Sequence, residues 1–179
     1  MKLIKSTVLA LAIITAFAPL ADVRAADVAR RDMAVLDKAD AWRELAFLLA
    51  PIKTREDLDR YMAELRQNPD ARSPLNLLSP AARERFVNSL VFTERGLGGY
   101  YYGDLQSQLT ASQIYRLLSL FGAQHTTPLV RGARIESRAD QLIMLSDPVA
   151  AAPADYEHYE CVSRATCGPR TNYICTSNC

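Results

Sequence analysis

Four cysteines carry the spacing in this chain that most directly implies chemistry, and all of them fall at its C-terminal end. Cys161, Cys167, Cys175 and Cys179 follow a C-x5-C-x7-C-x3-C pattern. An even number of thiols clustered this tightly suits two disulfides in an oxidising compartment. Three connectivities are open. The interlocked one, Cys161–Cys175 with Cys167–Cys179, is preferred on the weak ground that crossed loops compact a short segment best. Structural zinc sites use cysteine pairs two to four residues apart. Only Cys175 and Cys179 meet that spacing, so no metal and no cofactor is expected.

Acid–base and nucleophilic chemistry has little to draw on. The chain holds two histidines, His125 and His158. His125 follows Gly122 and fits a helix C-terminus, where a partial positive charge is favoured. His158 sits in Tyr156-Glu157-His158-Tyr159-Glu160. No H-E-x-x-H or G-x-S-x-G motif occurs. Gly96-Leu97-Gly98-Gly99 lacks the G-x-G-x-x-G spacing and the Lys of a phosphate loop, and reads as a flexible turn. Asp57, Asp59, Glu84 and Glu94 are isolated carboxylates on polar faces, without the apolar setting that raises a catalytic pKa. No catalytic residues are assigned.

Tyrosine is the other notable residue type. Tyr100-Tyr101-Tyr102 cannot all face inward from one regular element. With Tyr156 and Tyr159 they form a candidate interaction patch, since Tyr is enriched at interfaces. The competing expectation is that the triplet seals the end of a core.

The elements that must position these residues read as helices. An apolar stripe at helical spacing, Val35, Ala39, Trp42, Leu45, Ala46 and Leu49, runs to Pro51. Thr54 and Asp57 make a near capping box for a helix with Leu58, Tyr61, Met62 and Leu65 inward. Ser73-Pro74 and Ser79-Pro80 each place a capping residue before a proline suited to the first helical position. The second opens a helix to about Val91. Thr110 to Gln113 is a full capping box, and Gly122 fits a left-handed C-terminal cap. A last helix is expected from about Ser137 to Leu145. Five helical segments give an expected all-α domain. A short hairpin from Val91-Phe92 to Tyr100–Tyr102 ranks below that expectation.

Pro148 to Ala154 is small and proline-flanked and reads as a linker. The expected layout is a helical domain over 26–147, a linker over 148–154 and a cysteine-rich tail over 155–179. Residues 1–25 have the three parts of a secretory signal: a Lys2/Lys5 start, an uncharged apolar run from Ser6 to Leu20, and Val23-Arg24-Ala25 before the cut. Cleavage is expected after Ala25. No later apolar run is long enough to span a membrane.

The charges nearly balance, 21 Lys and Arg against 20 Asp and Glu, and they are interspersed. No basic block points to nucleic acid. The expectation is a non-enzymatic protein, exported to the periplasm or beyond, whose stapled tail binds an envelope or extracellular protein. A second expectation is a precursor that releases the tail as a two-disulfide peptide. A third is a metal-binding protein or enzyme using His158, Glu157 or a cysteine pair.

Overall fold

The computed structural model describes residues 33, 38–69, 71–146 and 155–179. The expected signal, its cleavage after Ala25 and the expected linker 148–154 lie outside the described residues. All described residues but Met33 belong to one unit, Ala34–Cys179. Among the described residues no helix is long and apolar enough to cross a membrane.

The helices begin where local chemistry asks them to. Residues 38–49 form α1. Helix α2 (Arg55–Gln67) opens on Thr54, whose side chain accepts from the Asp57 N–H while the Asp57 carboxylate accepts from the Thr54 N–H. Ser73 caps a 3-10 turn (Pro74–Leu77), and α3 (Pro80–Ser89) starts at a proline. After a short α4 (Gly103–Gln108), the Thr110/Gln113 capping box opens α5 (Ala111–Leu118). The chain then turns through Gly122, left-handed at φ +70°, and a 3-10 helix (Gln124–Leu129). A Ser137/Asp140 capping box opens α6 (Arg138–Leu145).

The all-α expectation is wrong. A four-stranded antiparallel sheet in the order β1-β2-β4-β3 joins β1 (Val91–Thr93), β2 (Gly96–Tyr101), β3 (Tyr156–Ser163) and β4 (Thr166–Cys175). The hairpin ranked lower is present, but its turn is Glu94-Arg95 and the glycine run is strand β2. One sheet neighbour of β2 explains the miss. β2 pairs with β4 across more than 70 residues of chain, as Gly99 with Cys175 and Tyr101 with Tyr173. Such long-range pairing leaves no local trace in the sequence.

The tail is therefore part of the body. Ile174 is fully buried in the same hydrophobic cluster as Leu58, Phe86, Leu97, Tyr100 and Ile114. Burying an isoleucine side chain contributes roughly 1.5–3 kcal/mol. Thr176 adds to the seam: its N–H donates to the Gly98 carbonyl at 2.9 Å and its hydroxyl to that of Leu97 at 2.6 Å.

Helix α1 is turned away from the expected face. It packs through Ala46, Phe47 and Ala50, whereas Trp42 and Leu49 are 69% and 74% exposed. The reason is close approach at Gly122, where an added Cβ would stand 3.0 Å from the Phe47 Cα and 3.1 Å from the Ala46 carbonyl oxygen. A helix lies that near only on a face of small side chains. In α6, Leu142 and Leu145 are likewise exposed while Ile143 and Met144 turn inward.

Candidate functional site

The four cysteines form two disulfides, but not in the preferred pairing. Cys161 joins Cys179 and Cys167 joins Cys175, a nested arrangement. The cause is a fold-back in the C-terminal hairpin. Cys167 and Cys175 are eight residues apart, yet their Cα atoms lie 6.0 Å apart. An extended strand would separate them by roughly 26 Å. The ladder is broken between Glu157 and Tyr159, and left-handed residues stand at the break on both strands, His158 at φ +64° and Asn172 at φ +62°. The outer half of the hairpin thus folds back onto β2, and the bridges fasten it there.

Glycines make room for that contact. A Cβ on Gly99 would lie 3.0 Å from the Ile174 carbonyl oxygen and 3.3 Å from the Cys161 nitrogen. One on Gly98 would meet the Cys161 sulfur and the Cys179 Cα, both at 3.4 Å. The run expected to be a flexible turn is the floor on which the bridged hairpin rests. The sulfurs of Cys161, Cys175 and Cys179 lie within 4.8 Å of one another. All are consumed in disulfides, so no thiolate is offered to a metal.

The tyrosine patch divides by strand alternation. Tyr100, in β2, and Tyr102, just before α4, are both buried and leave the patch. The Tyr100 hydroxyl lies 2.6 Å from that of Thr126. The Tyr102 hydroxyl donates to Glu157 at 3.2 Å, and burial together with the Glu157 charge pushes its pKa up to about 12. Tyr101 faces the other way and meets Tyr173 at 5.4 Å between ring centroids. The Arg170 guanidinium lies 4.2 Å over the Tyr173 ring. These three residues, with Arg85, Asn88 and Ser89, line a groove of about 420 Å³. Asp104 holds Arg85 through two hydrogen bonds of 2.7 and 3.0 Å, and Glu160 holds Arg170. On β3, the Tyr156 and Tyr159 rings meet at a tilt of 55° with centroids 5.7 Å apart, and with Val162 all three are exposed.

Glu157 and His158 serve the hairpin's anchoring. Glu157 pairs with Arg131 at 2.7 Å, and the His158 Nδ1 accepts from the Asn172 N–H at 3.4 Å. Of the isolated carboxylates, Asp57 is a capping residue. Glu94 and its neighbour Arg95 form the β1–β2 turn.

Sequence reasoning missed one pair. His125 is carried by the 3-10 helix after Gly122, and its Nε2 lies 3.2 Å from the Asp155 Oδ2, an ion-pair distance without hydrogen-bond alignment. The Asp155 side chain is 3% exposed, and its Oδ1 accepts from the Ser177 N–H at 2.7 Å. Burial pushes the Asp155 carboxyl upward, but His125, the Ser177 amide and the Arg43 charge outweigh it and hold it below the usual range. A polar cleft of about 430 Å³ opens beside this pair, bordered by Arg43, Glu44, Glu94, Arg95 and Asn178. No short-range signal links residues 30 apart.

No protein-family model, no curated protein and no solved structure matches the chain.

Proposed function

We propose that this is an exported, non-enzymatic protein that recognises another envelope or extracellular protein through the face built by its C-terminal hairpin. The observation that carries the reading is the groove of Tyr101, Tyr173, Arg85 and Arg170, with the exposed Tyr156, Tyr159 and Val162 on the same hairpin. Tyr and Arg are the side chains that dominate binding energy at protein interfaces. Two disulfides hold that face, which lowers the ordering cost of association. The same disulfides support export, because they persist in oxidising compartments.

The precursor reading loses support from the burial of Ile174 and the interior position of β4. A cut near residue 150 would leave the hairpin bonded into the sheet. Deleting 155–179 would also remove core, so the test must alter surface side chains only. A photo-cross-linking residue at Tyr173, in the native host, is expected to capture a discrete protein, and Arg170→Ala with Tyr159→Ser should abolish the product. Equal labelling from the exposed Asp59 of α2, or a product indifferent to both substitutions, contradicts the reading.

A further inference from the structure

The two disulfides of the hairpin lie side by side, and they differ in what can reach them. Cys161, Cys175 and Cys179 are 9%, 0% and 3% exposed and form a small buried cluster of their own. Of the four cysteines, Cys167 alone is partly exposed. A thiolate breaks a disulfide by attacking one sulfur and expelling the other, so access decides which sulfur is struck. From solvent that sulfur belongs to Cys167, and the group expelled is Cys175.

What the freed Cys175 sulfur meets is set by the fold. It lies within 4.8 Å of the Cys161 and Cys179 sulfurs, so both ends of the second bridge are in its reach. Gly99 brings Cys175 and Cys161 to one place. It pairs with Cys175 in the ladder, and a Cβ on it would stand 3.3 Å from the Cys161 nitrogen and 3.4 Å from the Cys161 Cβ. The surroundings also choose which end leaves. The Cys179 sulfur is 3.2 Å from the Ser163 carbonyl oxygen and 3.4 Å from that of Thr166, acceptors for a released thiol. The Cys161 sulfur is 3.8 Å from the Ser163 oxygen.

We infer that Cys167 is an entry point for thiol–disulfide exchange with a small thiol, and that the nested bridges then re-pair from within. The external thiolate bonds to the Cys167 sulfur, and the Cys175 thiolate leaves. The Cys175 sulfur bonds to that of Cys161, and Cys179 leaves and takes a proton from solvent. Once deprotonated again, Cys179 attacks Cys167 and returns the external thiolate. No net oxidation or reduction occurs, and the hairpin passes from the nested to the crossed pairing, Cys161–Cys175 with Cys167–Cys179. Both pairings keep two bridges, so the exchange stands whether or not the hairpin recognises a partner.

Glutathione is the probe, added without denaturant to the folded, oxidised protein. The reaction is quenched in acid, free thiols are alkylated with N-ethylmaleimide in acidic denaturant, and tryptic peptides are sequenced by tandem mass spectrometry. Trypsin cuts after Arg164 and Arg170, which puts Cys161, Cys167 and the Cys175/Cys179 pair on three peptides, and fragmentation separates the last two. In molecules with one adduct, glutathione is expected on Cys167 in about tenfold excess over the other three cysteines. The maleimide is expected chiefly on Cys179, with Cys161 joined to Cys175. Cys161→Ser with Cys179→Ser, which removes the second bridge, should still take glutathione on Cys167 but carry all its maleimide on Cys175. Glutathione entering first at another cysteine of the wild-type protein, maleimide confined there to Cys175, or no adduct short of unfolding would each overturn the inference.

Discussion

The N-terminal helix and the C-terminal hairpin of the described unit both lie against β2, and they are held there by different means. The hairpin is joined by ladder hydrogen bonds, two disulfides and a fully buried Ile174. Helix α1 rests on Gly122 and Gly96 through Ala46 and the Phe47 ring, and turns Trp42, Leu45 and Leu49 to solvent. The hairpin buries Ile174 in the core and presents Tyr156, Tyr159 and Val162 outward. Exposed apolar residues on α1 therefore carry little of the fold's stability, while hairpin residues such as Ile174 carry much of it.

A pair of truncations separates the two elements most sharply. Ile174→Ala should destabilise the protein by about 3 kcal/mol, since a buried isoleucine is lost and a cavity left. Leu49→Ala should change stability by no more than about 0.5 kcal/mol. Urea unfolding of the oxidised proteins reads both. Equal effects would remove the distinction.

Glycine substitutions ask how tightly each element is seated. Gly99→Ala sets a Cβ against the Ile174 carbonyl and Cys161, backbone that the disulfides prevent from yielding, and should cost about 2 kcal/mol. Gly122→Ala meets α1 and also places alanine at positive φ, for a loss of about 1–2 kcal/mol. Its signature differs, because α1 can shift: fluorescence of Trp42 should change in Gly122→Ala and stay constant in Gly99→Ala.

The smallest effect expected is electrostatic and lies outside both elements. Asp140 is buried at the start of α6 and accepts from the Ser112, Glu136 and Ser137 N–H groups at 2.7, 3.1 and 2.8 Å. Its Ser137 hydroxyl partner first, then the Ser112 amide, hold its carboxyl far below the usual carboxylate range. A depressed folded-state pKa adds stability above the unfolded value near 4, and that stability is lost as pH falls through the folded value. The unfolding midpoint should therefore drop on going from pH 6 to pH 3, and drop less in Asp140→Asn.

What could be read from the sequence was local. The Thr54 and Thr110 capping residues and the left-handed Gly122 each depend on neighbours within a few positions, and each stands where expected. What could not be read was decided across the chain. Tyr100 and Tyr101 became strand residues because β4 pairs beside them, and the glycines before them are explained only once Cys161 lies on top. The disulfide pairing follows from the bend at His158 and Asn172, two residue types that tolerate left-handed backbone but do not announce it. Periodicity placed Trp42 and Leu49 inward, and the nearness of Gly122 to the α1 backbone turned them out. His125 and Asp155 meet only in the folded chain.

The bridged hairpin is bonded into the folded body through β2 and the buried Ile174. A specific protease site inserted at residue 150, followed by cleavage of the oxidised protein and size-exclusion chromatography without denaturant, tests it directly. Residues 155–179 are expected to elute with the body and to separate only in denaturant. A free, bridged peptide beside an intact helical remainder would contradict it.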